Sequence, residues 1–134
     1  TPPGLHLLTR LSIAIFGLSE LSIRLPSVIG VGILCCSQYL FLRISGFQRI
    51  ASIPALVLPC ITQVFAFAPE ARGYGILLGA VGLAVLCRKI AGDEGKPIPL
   101  FFMWFSIIIS MSAHYYAVFS ILTIIISETL RALQ

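Results

Sequence analysis

The sequence predicts an all-α protein, a polytopic bundle of membrane helices. Of its 134 residues, 58% are hydrophobic and only 10% are charged, whereas charged residues make up roughly 25% of a soluble domain. The apolar residues form long runs, separated by short stretches rich in charge, glycine or proline. Together these features predict an integral membrane protein.

The net charge of +4 is consistent with that class. Nine Lys and Arg residues stand against five Asp and Glu residues. In a membrane protein such an excess reflects the orientation of the loops rather than nucleic-acid binding. We therefore expect the lipid bilayer, and no nucleic acid, among the partners of this chain.

Residues 4–17 are predicted to form an interfacial amphipathic helix. One face of this helix is apolar, and the other carries His6, Thr9 and Arg10. About thirteen helical residues rise only some 20 Å, which is too short for a hydrocarbon core of about 30 Å. The segment should therefore lie in the membrane interface and end at Gly17.

Five longer segments are predicted to cross the bilayer. They are residues 22–42, 50–68, 73–91, 98–113 and 115–131. The first contains 18 consecutive uncharged residues, enough to span. Pro54 and Pro59 are expected to kink the second. In the third, Gly75 and Gly79 have the small-xxx-small spacing that allows two helices to approach closely.

A charged island, residues 69–75, separates the second and third predicted spans. It contains Glu70 and Arg72, and charges of this kind mark an aqueous edge or a functional cavity because they are costly in hydrocarbon. Arg72 precedes a helix whose free N–H groups and dipole favour an anion. Its guanidinium suits a lipid phosphate. Alternatively, Arg72 snorkels to the interface or pairs with Glu70.

The distribution of basic residues predicts the orientation. With five crossings, one side collects six of them: Arg43, Arg49, Arg88, Lys89, Lys96 and Arg131. The other side has three, at positions 10, 24 and 72. The positive-inside rule makes the first side cytoplasmic. The residues whose side chains could take part in binding or catalysis then face the extracytoplasmic side of the plasma membrane: Glu20, Arg24, Glu70, Arg72, Tyr74 and His114.

The remaining charged, cysteine and glycine patterns do not identify a further binding site. Glu20 and Arg24 have the i,i+4 spacing of a helical ion pair, either a solvated pair at the interface or a functional one. The four cysteines, at positions 35, 36, 60 and 87, lie in apolar runs without metal-ligand spacing and are expected to pack. The glycines after Arg72 lack the dinucleotide-binding spacing. We predict no metal and no cofactor.

Four stretches, in this order, resemble one family of membrane enzymes. They are Thr1-Pro2-Pro3-Gly4-Leu5, then residues 16–20 leading into Arg24-Leu25-Pro26-Ser27, then Glu70-Ala71-Arg72-Gly73-Tyr74-Gly75, and finally His114-Tyr115-Tyr116. The chain is similar to bacterial glycosyltransferases related to dolichyl-phosphate-mannose protein mannosyltransferase. The resemblance covers nearly the whole chain. One departure is Thr1, since family members commonly have a histidine before the proline pair.

The resemblance implies a GT-C fold and sugar transfer from a polyprenyl-phosphate sugar to a glycan, lipid or protein acceptor. An acceptor hydroxyl attacks the anomeric carbon, a carboxylate takes its proton, and the lipid phosphate leaves. By this resemblance, Arg72, Tyr74 and His114 contact the phosphate, and Glu70, Tyr115, His6, Arg10, Glu20 and Arg24 support them. The catalytic acid is expected upstream of Thr1, in a first outer loop that this fragment lacks. Alone, the fragment should therefore be inactive.

Two other classes of function compete with the transferase. A transporter or flippase would bind an anionic lipid without chemistry, but it requires polar groups near the midplane, where this sequence has only Gln63. A structural membrane subunit would leave the charges on the outer side without a role. The arrangement of charge therefore favours the enzyme.

Overall fold

The fold is all-α, as the sequence predicts. A computed structural model of the chain describes residues 3–61, 73–92 and 95–133, and no strand occurs among them. The helices are α1 (Pro3–Phe16), α2 (Glu20–Ile44), α3 (Arg49–Ser52), α4 (Pro54–Ile61), α5 (Tyr74–Ala91), α6 (Pro97–Ala113) and α7 (Ala117–Ala132).

Short-range chemistry sets the join between α1 and α2. Gly17 adopts a φ of 78° with open space around its Cα, so α1 ends there as predicted. Ser19 caps α2, because its Oγ accepts a hydrogen bond of 3.1 Å from the Ser22 N–H. Glu20 in the first turn and Arg43 in the last turn complement the helix dipole.

The second predicted span is divided in its described part. Helix α3 ends at Ser52 and α4 begins at Pro54, because proline has no N–H to continue the helical hydrogen bonds. Ile53 before it keeps helical dihedral angles, with φ −56° and ψ −41°. The helix is thus interrupted at Pro54, where the sequence predicted a kink. Pro59 lies inside α4. Gln63 and the rest of this predicted span lie outside the described residues.

Helices α2 and α5 run parallel and touch through their backbones. A Cβ added to Gly30 would collide with the carbonyl of Gly75, and one added to Gly79 would collide with the carbonyl of Gly30. Gly75 likewise lies against the carbonyl of Ser27. The small-residue spacing at Gly75 and Gly79 thus forms a close helix contact, and that prediction is confirmed.

The remaining helices are arranged around α5. Helix α6 runs antiparallel to it, since Gly73 meets Ala113 at one end while Ala84 and Cys87 pack with Met103 and Ile107 further along. Helix α7 packs Ile121 and Ile124 against the same cluster. At the start of α1, Gly4 lies against Ser112 of α6. Helices α2, α5 and α7 therefore point one way and α6 points the other.

The exterior of the bundle is apolar. Helices α2 and α5 are long and apolar enough to cross a membrane, and the other apolar helices described are shorter. Large side chains on α6 and α7 face outward, among them Trp104, Phe105, Phe119 and Ile125, each more than half exposed. A surface this apolar is typical of contact with lipid.

Helix α1 also exposes apolar side chains. Leu7, Leu11 and Ile15 are each more than half exposed, while Ser12 turns inward and is buried. Leu11 and Ile15 also line an apolar cavity that α1 forms with α2, α5 and α6, so the apolar stripe is only partly turned away from the bundle.

The cysteine prediction does not hold for all four cysteines. Cys35 and Cys87 are buried packing residues, as expected, whereas Cys36 and Cys60 are exposed. Cys60 nevertheless contacts α2, because its side chain is hydrogen-bonded with Cys35. The expectation is therefore wrong for Cys36.

Candidate functional site

The predicted phosphate-binding residues fall at one end of the bundle. Tyr74 is the first residue of α5, and His114 directly follows α6. Arg72 precedes Tyr74 by two positions in the sequence and, with Glu70, lies outside the described residues. We call the described part of this region, residues 73–75 and 113–116, the Tyr74 end.

The rings of Tyr74 and His114 are stacked. Their centroids are 4.5 Å apart, with 29° between the ring planes. The Tyr116 ring lies on His114 at 4.8 Å. Both Tyr74 and His114 are half-buried. Two side chains 40 positions apart in the sequence are thus brought into direct contact.

Gly73 allows this contact. A Cβ at position 73 would collide with the carbonyl oxygen of Ala113, so only glycine lets the start of α5 approach the end of α6 this closely. Gly73 is buried, and its carbonyl accepts the Leu77 N–H at 2.9 Å to begin α5. The glycine in the charged island therefore sets the distance between the two rings.

The turn after α6 orients His114. Its backbone is extended, with φ −160° and ψ 142°, which ends the helix. The Tyr116 N–H donates to Nδ1 of His114 at 3.3 Å, and the Ala117 N–H donates to its carbonyl at 3.1 Å. Because Nδ1 accepts a hydrogen bond, the proton of the neutral imidazole resides on Nε2. His114 can therefore donate a hydrogen bond from Nε2.

The residues predicted to support the site are spread more widely. Arg24 forms an ion pair with Glu20 across one turn of α2, as the i,i+4 spacing predicts. His6 and Arg10 are exposed on α1, and the Tyr115 side chain is 72% exposed beside the Tyr74 end. The Tyr115 and His114 rings are 6.5 Å apart, so Tyr115 lies beside the stacked pair.

An apolar cavity of about 470 Å³ lies between α1, α2, α5 and α6. Its walls include Leu11, Ile29, Ile76 and Phe105. Ser12 also lines it, and the Ser12 hydroxyl is buried without a hydrogen-bond partner among the described residues. The cavity was not anticipated from the sequence, because four separate helices contribute to it.

An ion pair near the other end of α5 was also missed. Arg88 Nη2 donates to Glu128 Oε2 of α7 at 2.5 Å, and Arg88 Nη1 donates to the Gly92 carbonyl at 2.9 Å. We call this region, residues 88–92 with 123–128, the Arg88 end. The two charges lie 40 positions apart, so no helical spacing rule relates them. The one feature of the sequence that suggests their pairing is that each residue lies near the end of a predicted span.

Tyr116 is a further contact of His114; it belongs to the His114-Tyr115-Tyr116 stretch but is not among the predicted site residues. Its signal is the i,i+2 spacing, which lets a backbone N–H reach the preceding ring in a tight turn.

The described residues contain no group of three or more His, Cys, Asp and Glu side chains arranged to hold a metal ion. Comparison with known proteins finds no matching family model, and no curated protein or solved structure with significant similarity to this chain.

Proposed function

We propose that this chain is a fragment of the membrane part of a glycosyltransferase of the GT-C type, a multi-pass protein of the plasma membrane. The full-length enzyme transfers a sugar from a polyprenyl-phosphate donor to an acceptor on the extracytoplasmic face. The observation that carries this proposal is the stacked pair of Tyr74 and His114. These residues belong to the two stretches of the family resemblance that surround Arg72 and follow α6.

The Tyr74 end offers the groups that an anionic leaving group needs. Nε2 of His114 is available as a donor, because Nδ1 is occupied by the Tyr116 N–H. The first N–H groups of α5 add the positive end of a helix dipole. Arg72, adjacent to Gly73 in the sequence, would add a guanidinium fork. Together these groups would stabilise charge as it develops on the lipid phosphate.

The apolar cavity supports a lipid-linked donor. Its walls reach from α1 to α6 and contain Ile76 and Ala80, near the Tyr74 end of α5. A hydrocarbon chain entering this cavity would place its phosphate close to the stacked rings. An apolar pocket with few polar groups is the usual form of a site for such a ligand.

The helix directions agree with the proposed topology. Helices α2, α5 and α7 would run from the outer face to the cytoplasm, with α6 returning. The Tyr74 end then lies outside, and the Arg88 end lies inside with most of the basic residues. The apolar exterior of α6 and α7 supports contact with lipid.

Arg72 provides the first test, in the full-length protein that contains this chain. If its guanidinium holds the phosphate in two parallel hydrogen bonds, Arg72→Lys loses the fork and Arg72→Ala loses the charge as well. We expect turnover of the lipid-linked donor to fall about a hundredfold for Ala, equivalent to about 3 kcal/mol. A fully active Lys variant would contradict the phosphate fork.

His114 provides a sharper pair of variants in the same assay. Gln can place an amide N–H near the position of Nε2, whereas Asn keeps only a group near Nδ1. We expect His114→Gln to retain more turnover than His114→Asn. Arg49→Ala, at an exposed residue that begins α3, is the control and should leave turnover unchanged. Equal activities of the two His114 variants and the wild type would remove His114 from the site.

A further inference from the structure

A second cavity lies at the Arg88 end, about 310 Å³ in volume, between α2, α5 and α7. Arg88, Lys89 and Glu128 line it together with the hydroxyl residues Thr123 and Ser127. It is separate from the Tyr74 end, because the 14 residues between Tyr74 and Arg88 on α5 rise about 21 Å. The proposed glycosyl transfer makes no use of it.

The cavity carries a net positive charge. Two cations line it against one carboxylate, and that carboxylate is bound by Arg88 at 2.5 Å. Lys89 is exposed, and its Nζ lies 6.0 Å from the centre of the Phe41 ring. Among the described residues, no ion pair joins it to an acid. Arg88 donates to Glu128 and to Gly92, which leaves further N–H groups on its guanidinium. The cavity therefore favours an anion.

Its walls restrict what kind of anion it can hold. Below the charges, the lining is apolar and consists of Phe41, Ala84, Val85 and Ile124. Thr123 does not provide a donor, because its hydroxyl already donates to the Phe119 carbonyl at 2.9 Å. A ligand that meets both zones has an anionic head and a hydrocarbon tail.

We infer that the Arg88 end binds the head group of an anionic phospholipid, with its phosphate at Lys89 and Arg88 and an acyl chain along Phe41, Val85 and Ile124. Basic pockets between membrane helices commonly serve this purpose. Lys89 supplies a charge that no carboxylate of the described residues pairs with, Arg88 supplies directional N–H donors, and Glu128 opposes the anion while it orients Arg88.

The experiment titrates the detergent-solubilised full chain with dioleoyl phosphatidylglycerol and counts bound lipids by native mass spectrometry. Dioleoyl phosphatidylcholine and inorganic phosphate are the comparison ligands. We expect phosphatidylglycerol to bind more tightly than phosphatidylcholine, and inorganic phosphate not to displace it. Equal affinity for the two lipids would overturn the charge assignment, and displacement by phosphate alone would overturn the lipid assignment.

Three variants make the test specific. Lys89→Gln should weaken phosphatidylglycerol binding about fivefold, the effect of about 1 kcal/mol for one basic residue near the membrane surface. Glu128→Gln should strengthen it, because the opposing carboxylate is lost. Lys96→Gln removes the same charge from an exposed residue that does not line the cavity, and it should change binding little. If Lys96→Gln weakens binding as much as Lys89→Gln, diffuse attraction explains the data and the site is refuted.

Discussion

Helix α5 contacts its two parallel neighbours in different ways. Against α2 it presents Gly75 and Gly79, and the two backbones touch with no side chain between them. Against α7 it presents Arg88, which reaches across to Glu128, together with the side chains around Ala84 and Cys87. One contact is made of backbone surfaces, and the other of side chains that extend over a wider gap.

The difference shows two ways of joining helices where both sides are apolar. Since lipid tails are as apolar as the side chains, helices associate through close packing and polar contacts rather than through the hydrophobic effect. The α2–α5 contact uses packing, and it leaves no room for an added Cβ at Gly30, Gly75 or Gly79. The α5–α7 contact uses charge, and its side chains can adjust to substitution.

The largest effect is expected at the backbone contact. In Gly79→Ala the new methyl group would collide with the backbone of Gly30, which cannot move without separating the helices. We expect a loss of about 3 kcal/mol in the free energy of unfolding, the upper end of the range for overpacking. Unfolding by SDS titration of the detergent-solubilised protein, followed by circular dichroism, measures it.

Gly32→Ala is the matched control on α2. A Cβ at Gly32 meets open space, so alanine should stabilise the helix by about 0.5–1 kcal/mol. The change in the free energy of unfolding for Gly82→Ala should lie between those for Gly79→Ala and Gly32→Ala. The atom nearest to a Cβ at position 82 is the flexible end of the Leu34 side chain, at 3.0 Å. If Gly79→Ala and Gly32→Ala behaved alike, α2 and α5 would not be in backbone contact.

A smaller effect is expected at the ion pair between α5 and α7. The side chains of Arg88 and Glu128 are 21% and 38% exposed, which places the pair between a buried and a surface salt bridge. A double-mutant cycle of Arg88→Gln and Glu128→Gln should give a coupling energy of about 1–2 kcal/mol. A coupling near zero would show that side-chain packing alone joins α7 to α5.

The smallest effect is expected at Glu20 and Arg24. Their side chains are 78% and 42% exposed, and they lie one turn apart on the same helix, so the pair spans no tertiary contact. The same cycle with Glu20→Gln and Arg24→Gln should give at most about 0.5 kcal/mol. A coupling as large as that of Arg88 and Glu128 would mean that this pair has a tertiary partner as well.

Local sequence signals anticipated much of the fold. The apolar composition predicted an all-α chain, and Gly17 ends α1 where the change in pattern placed it. The i,i+4 pair of Glu20 and Arg24 and the glycine spacing of α5 are also present. Each of these features depends on residues within about one turn of a helix, which is the range over which sequence spacing fixes geometry.

The candidate site was anticipated only as a set of residues. Tyr74 and His114 were selected from the stretches that resemble the glycosyltransferase family, but no spacing relates two residues 40 positions apart. Their contact depends on how closely α5 and α6 approach at Gly73. Tyr116 was not selected, because its contact with His114 depends on the shape of the turn after α6.

By itself, the sequence determined that the fold is all-α and that its surface is largely apolar, because these follow from periodicity and composition. Tertiary structure alone decided that Ser12 turns inward beside a cavity, that Cys36 is exposed, and that Arg88 pairs with Glu128. In a chain that is apolar on every side, hydrophobicity cannot specify which face of a helix meets a neighbour. That choice depends on small residues and isolated charges, whose partners become known only when the helices pack.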